Sequence, residues 1–145
     1  MLTDASKTIF LIEDNRADIR LIQEALKSTA AQCQVVVARD GMEAMAYLRQ
    51  DEGYGDAVRP DLILLDLNLP KKDGREVLAE IKADPTLMQI PVVVLTTSRN
   101  EEDIFNSYDL HVNCYISKSR NLSQLLKIVR GIEEFWLETA TLPPR

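Results

Sequence analysis

Four short apolar segments of the chain lead into residues that can hold charge or bond to phosphate. TIFLIE (8–13) ends on Glu13 and runs into Asp14, and DLILLD (61–66) ends on Asp66. IPVVVL (90–95) is followed by Thr96, Thr97 and Ser98, and VNCYIS (112–117) runs from Ser117 into Lys118. Carboxylates packed together repel one another, and stay ionised only where a cation or good hydrogen bonds compensate them. Oxygen-only ligands favour Mg²⁺, which keeps several waters and takes one or two carboxylates plus a phosphate oxygen. A lone lysine among acids is a compact charge that can pair with a carboxylate or a phosphoryl oxygen. The set suits phosphoryl chemistry, where catalysis is mostly positioning and charge neutralisation. Strands generally end in polar residues, and one strand-end Asp alone reads equally as a turn or a cap. The chemical reading depends on all four ends meeting.

The elements that must position them follow from periodicity. CQVVVA (33–38) joins the four segments above as a fifth strand, and all are nearly continuously apolar and rich in Val and Ile, as strands buried on both faces must be. Helical spacing lies between them. Ile19, Ile22 and Leu26 form one face, as do Ala44, Tyr47 and Leu48, then Val77, Leu78 and Ile81. Ile104, Phe105 and Tyr108 mark a shorter helix. Leu122, Leu125, Leu126, Val129 and Ile132 form the strongest stripe, with Asn121 as N-cap. Five strands alternating with five helices call for a parallel sheet covered on both faces. Ligands then sit outside the carboxyl ends of the strands, where strand order reverses.

Composition excludes several classes. The 145 residues are 46% hydrophobic and 28% charged, the profile of one soluble globular domain. Apolar runs such as VVVL (92–95) fall far short of the roughly 20 residues of a membrane span. MLTDASK lacks the apolar core of a secretion signal, so a cytoplasmic location is expected. With 17 Lys and Arg against 23 Asp and Glu and no basic cluster, nucleic acid is not an expected partner. Cys33 and Cys114 each lie in an apolar run and read as small buried hydrophobes rather than as a disulfide or metal ligands.

At these residues the chain resembles the receiver domain of bacterial two-component response regulators, of the chemotaxis-regulator type. The resemblance rests on IEDN (12–15), ARDGMEA (38–44), DLILLDLNLPKKDG (61–74), VVVLTTS (92–98) and YISK (115–118). Asp66 to Thr96 spans 30 residues and Thr96 to Lys118 spans 22, spacings typical of that family. It implies a doubly wound α/β fold, the (βα)5 flavodoxin-like receiver, as a single domain over 1–145 with a core of about 7–133 and an extension at 134–145. It also implies roles. Asp66 would be the phosphoacceptor, attacking a phosphohistidine on a partner kinase. Glu13, Asp14, Asp66 and the backbone carbonyl of Asn68 would hold Mg²⁺. Thr96 would bond the phosphoryl group, Lys118 would neutralise it, and Tyr115 would be the aromatic switch. A receiver of this kind signals rather than acting as an enzyme.

The chain departs from the family pattern in places. Ser119 stands where Pro usually follows the lysine, which leaves the path of that loop open. His111 replaces a common glycine, and His is among the few residues enriched at positive φ. Thr97 replaces a small residue, so restricted access and a long-lived aspartyl phosphate are expected. The loop 51–60 (DEGYGDAVRP) is longer than the compact form and is expected to be mobile and away from the acids. That loop, the segment 107–129 and the tail 131–144 resemble the small response regulators of cyanobacterial phytochromes, whose photoreceptor kinase would be the partner. The residues after Arg130 are too few and insufficiently basic for a DNA-binding helix-turn-helix, so output is expected through protein contacts. Ile104, Phe105, Tyr108, Tyr115, Phe135 and Trp136 would form a twofold dimer face; a tail folded back on its own domain is the alternative.

Two other functions compete. A small aspartyl-nucleophile phosphohydrolase would carry a second Asp two residues after the nucleophile, where Asn68 stands. A flavin-binding domain would need a phosphate-cradling loop after the first strand, yet that loop reads EDNRAD.

Overall fold

The computed structural model describes residues 7–27 and 33–144. The first six residues of the N-terminal segment considered above lie outside the described residues. The elements run β1 (Lys7–Ile12), α1 (Arg16–Lys27), β2 (Cys33–Ala38), α2 (Gly41–Leu48), β3 (Leu62–Leu65), α3 (Gly74–Ala83), β4 (Val92–Thr96), α4 (Glu101–Asp109), β5 (Cys114–Ser117) and α5 (Leu122–Glu133). A π-helical turn, Glu134–Thr139, continues α5. The strands form one parallel sheet in the order β2-β1-β3-β4-β5. This is the doubly wound (βα)5 architecture that the alternation of segments predicts. Strand order reverses between β1 and β3, so the crevice lies at their carboxyl ends.

Alternation along the central strands divides the core in two. Phe10, Ile12, Ile63, Leu65, Val92 and Val94 face α2 and α3, together with Val77, Leu78 and Ile81. Ile9, Leu11, Leu62, Leu64, Val93 and Leu95 face α1 and α5, against Ile22, Leu26, Leu125, Val129 and Ile132. The expectation that all five strands are buried on both faces fails at β2 and β5, most of whose residues are only partly buried. Both are sheet edges, and their apolar runs match central strands in composition alone. Cys33 begins β2 and Cys114 begins β5, both as free thiols. Four interstrand spacings of about 4.8 Å separate those edges, roughly 19 Å in all, which no disulfide can bridge.

Local chemistry sets the helix boundaries. Asn121 caps α5 by accepting from the Gln124 N–H at 3.1 Å. Leu122, counted in the apolar stripe, is instead 68% exposed, like the rest of the first turn of α5 up to Gln124. His111 takes φ 69° directly after α4, the left-handed turn foreseen for it. The Lys118–Ser119 peptide is trans. In the 51–60 loop, the Tyr47 hydroxyl donates to Val58 O at 2.8 Å and Gln50 Nε2 to Ala57 O at 2.9 Å. The Tyr47 ring stacks on Phe10 at 4.5 Å and meets Tyr54 edge-on at 6.0 Å, which links the loop to the edge of the core.

The tail also folds inward. Trp136 and Leu137 pack on the α1–α5 side of the core. The buried Glu133 precedes them, and its Oε2 has no hydrogen-bond partner. Burial, with Glu138 and Glu134 nearby, pushes its carboxyl up from 4.5 to about 7. An acid whose pKa is raised by folding adds stability while protonated, and that contribution is lost as pH climbs through the folded value. Glu133→Gln should therefore gain on the native chain by about 1 kcal/mol or more between pH 5 and pH 8. Urea unfolding at the two pH values measures this, and an equal difference at both would contradict it.

Candidate functional site

Backbone register brings the acids together. Ile12 faces Leu65 across β1 and β3, and the Asp66 N–H donates to Ile12 O at 3.0 Å. Glu13 and Asp66 therefore leave the sheet side by side, both buried, while Asp14 is exposed. One carboxylate oxygen from each of the three lies within 4.8 Å of the others. The acids do not cap α1. Asn15 does so, its Oδ1 accepting from the Asp18 N–H at 3.0 Å. Burial, then the Asp66 charge, pushes the Glu13 carboxyl up to about 7, although Lys118 pulls the other way. The site is short of positive charge, and a hard cation is the natural complement to three oxygen donors.

Lys118 is the one cation inside it among the described residues. The strand pair Thr96–Ser117 delivers it, and its side chain is only 3% exposed. Nζ bonds Asp18 Oδ2 at 2.7 Å and Glu13 Oε1 at 2.8 Å, and stands 3.6 Å from Asp66 Oδ2. Burial alone would lower its pKa, but the hydrogen bonds it donates to Asp18 and Glu13 outweigh that and hold it above the ordinary lysine value. The ammonium stays charged.

Thr96 is fully buried at the end of β4, and its Oγ1 accepts from the Ser98 N–H at 3.4 Å. Thr97, beyond the strand end, is exposed. The Tyr115 hydroxyl donates to Ser98 O at 3.0 Å, so the ring reaches from β5 to the loop after β4. A second network ties that loop down. Arg75, in the first turn of α3, donates to both Asp103 oxygens at 2.8 Å and to Leu67 O at 3.3 Å, while Ser98 Oγ donates to Asp103 at 2.7 Å. The Arg75 hydrogen bonds hold the Asp103 carboxyl down at about 2. Asn68 is exposed, and its backbone N–H donates to Asp66 Oδ1 at 3.2 Å.

Five residues singled out in the sequence thus meet, namely Glu13, Asp14, Asp66, Asn68 and Lys118, with Thr96 ending the neighbouring strand. Asp18, Arg75 and Asp103 were not singled out. Asp18 gave a weak signal as an acid in the first turn of a helix, a place that usually needs no further explanation. The set expected to form a dimer face is divided. Phe105 is 69% exposed, Tyr108 and Phe135 are about half exposed, and Ile104 and Tyr115 are partly buried. Trp136 departs from that set because its indole packs on its own domain, edge-on to Phe135 at 5.2 Å.

A parallel sheet with an acidic crevice at its switch point, faced by one buried lysine, defines the response regulator receiver domain; residues 9–130 match that family, and the chain belongs to it. It is a phosphoacceptor of two-component signalling, and its relatives narrow the type. It is 63% identical to response regulator Rcp1 of Synechocystis sp. over 137 residues, 94% of this chain and 93% of that one. It superposes on the phosphorylated cyanobacterial phytochrome response regulator RcpA with TM-score 0.94 at 76% identity, covering 97% of this chain and all of that one. The Mn²⁺-bound form of Rcp1 gives 0.93 at 62% identity, covering 95% and 99%. The chain is thus similar to the small regulators of cyanobacterial phytochromes, and the phosphohydrolase reading is not favoured. Among the described residues, no helix is long and apolar enough to cross a membrane.

Proposed function

We propose that Asp66 takes a phosphoryl group from the phosphohistidine of a phytochrome sensor kinase, and that the chain then signals through altered protein contacts in the cytoplasm. The observation behind this is a buried carboxylate clustered with two other acids and standing 3.6 Å from a buried lysine. In the transfer an Asp66 oxygen attacks phosphorus, the P–N bond breaks, and the imidazole nitrogen keeps the electron pair. Lys118 sets a positive charge beside the developing phosphoryl oxygens, and Thr96 offers them its hydroxyl. Movement of Thr96 would loosen the Ser98 loop that Tyr115 grips, which makes Tyr115 the switch.

Glu13, Asp14, Asp66 and the Asn68 carbonyl would hold Mg²⁺, and three carboxylate oxygens within 4.8 Å of one another fit a hard cation. Bound there, the ion would offset the negative charge of the acids and of the incoming group. Mixing with a phosphorylated phytochrome kinase and Mg²⁺ should add one phosphoryl group to the native chain, by intact mass, and none to Asp66→Asn. Equal labelling of both would end the proposal.

Output would pass through a twofold face carrying Phe105 and Tyr108 on α4, with Ile104, Tyr115 and Phe135 beside them and Trp136 at most a support. A monomer by light scattering in both phosphorylation states would remove the dimer.

A further inference from the structure

Resting on Asp66 as the phosphoacceptor, we infer that Asp18 is a positioning residue that holds Lys118 back from Asp66 and so slows phosphorylation. An ammonium group has three N–H donors. Two point to Asp18 Oδ2 at 2.7 Å and Glu13 Oε1 at 2.8 Å, the range of strong charge-assisted bonds. At 3.6 Å, Asp66 is the one carboxylate of the three that the lysine does not hydrogen-bond. The third N–H remains for a phosphoryl group on Asp66, and the two short bonds resist any shift of the ammonium toward that group.

Asp18 is the stronger competitor in this geometry. It makes the shortest of the three contacts, and its backbone is fixed by the bond from its N–H to Asn15 Oδ1. Asn15 is tied to the site in turn, since its N–H donates to Glu13 Oε2 at 3.2 Å. Asp18, Asn15, Glu13 and Lys118 therefore close a ring that fixes the lysine. Asp18 also adds a negative charge beside a site that must receive a phosphoryl group, so position and electrostatics act in the same direction. At 22% exposure its side chain is only partly screened by water.

The test uses the whole chain, Mg²⁺ and acetyl phosphate. An Asp66 oxygen attacks phosphorus, the bond from phosphorus to the acetate oxygen breaks, and acetate leaves with the electron pair. Asp18→Asn should phosphorylate about fivefold faster, roughly 1 kcal/mol in the barrier, while unfolding at lower urea because an ion pair is gone. Asp18→Glu, which keeps the charge, should stay near the native rate. A purely structural role would lower rate and stability together. A rate in Asp18→Asn at or below native, with Asp66→Asn inert, overturns the inference and leaves the acceptor standing. Phosphorylation of Asp66→Asn at the native rate overturns both.

Discussion

Lys118→Met should lower the unfolding free energy of the metal-free protein by about 3–5 kcal/mol, because removing one partner of a buried ion pair strands the other. Here it strands more than one. Glu13 and Asp18 each lose a bond shorter than 3 Å, and Asp66 loses the cation 3.6 Å away. Lys118 and Glu13 are almost wholly inaccessible, so water cannot take over the vacated positions. Methionine keeps most of the volume of the side chain and removes the charge, so cavity formation contributes little. The same cluster supplies an internal check. A cation bound only by the folded state stabilises it by mass action, about 2.7 kcal/mol at a hundredfold excess over its dissociation constant. The variant has lost the cluster's own positive charge and should gain more from added Mg²⁺ than the native chain. Urea unfolding with chelator and with Mg²⁺ measures both parts. A deficit below about 1 kcal/mol would mean that the acids shed their charge some other way. Equal Mg²⁺ gains in both chains would mean that the ion binds elsewhere.

The fold and most of the site were legible because they depend on local pattern. Apolar runs ending in Glu13, Asp66, Thr96 and Ser117 put chemistry at strand ends, and parallel pairing puts strand ends on one edge. Pairing across the molecule was not legible. Asp18 meets Lys118 at a separation of 100 residues, and Arg75 meets Asp103 at 28. Neither spacing carries a period, and each residue has an ordinary local reading at a helix start. Composition also could not separate central from edge strands, since CQVVVA in β2 reads like VVVLT in β4. The inward turn of Trp136 depends on a π-helical turn, which shifts side-chain directions relative to the α-helical continuation that periodicity assumes.

Gly74 carries the other large effect, and backbone contact is its cause. A Cβ at this position would lie 2.2 Å from Asp66 O and 2.5 Å from Leu67 Cα, far inside van der Waals contact. Both neighbours are main chain, so no rotamer change relieves the clash. Either α3 retreats or the segment leaving β3 moves. The Gly74 N–H donates to Leu67 O at 2.9 Å, which ties the two together, and α3 is further fixed by the Asp73–Glu76 capping box. Gly74→Ala should therefore cost about 2–3 kcal/mol, at the upper end for overpacking. It should also reduce phosphorylation from acetyl phosphate at least tenfold, since the displaced backbone carries Asp66 and Asn68. Gly131→Ala is the matched control. Beyond its chain neighbours and the backbone of its own helix, no atom of the described residues lies within 4 Å of its Cβ position, and it sits inside α5. There alanine should stabilise the chain by about 0.5–1 kcal/mol through helix propensity and leave the phosphorylation rate alone. Equal behaviour of the two variants in both measurements would show that the close approach of α3 does not position the acceptor.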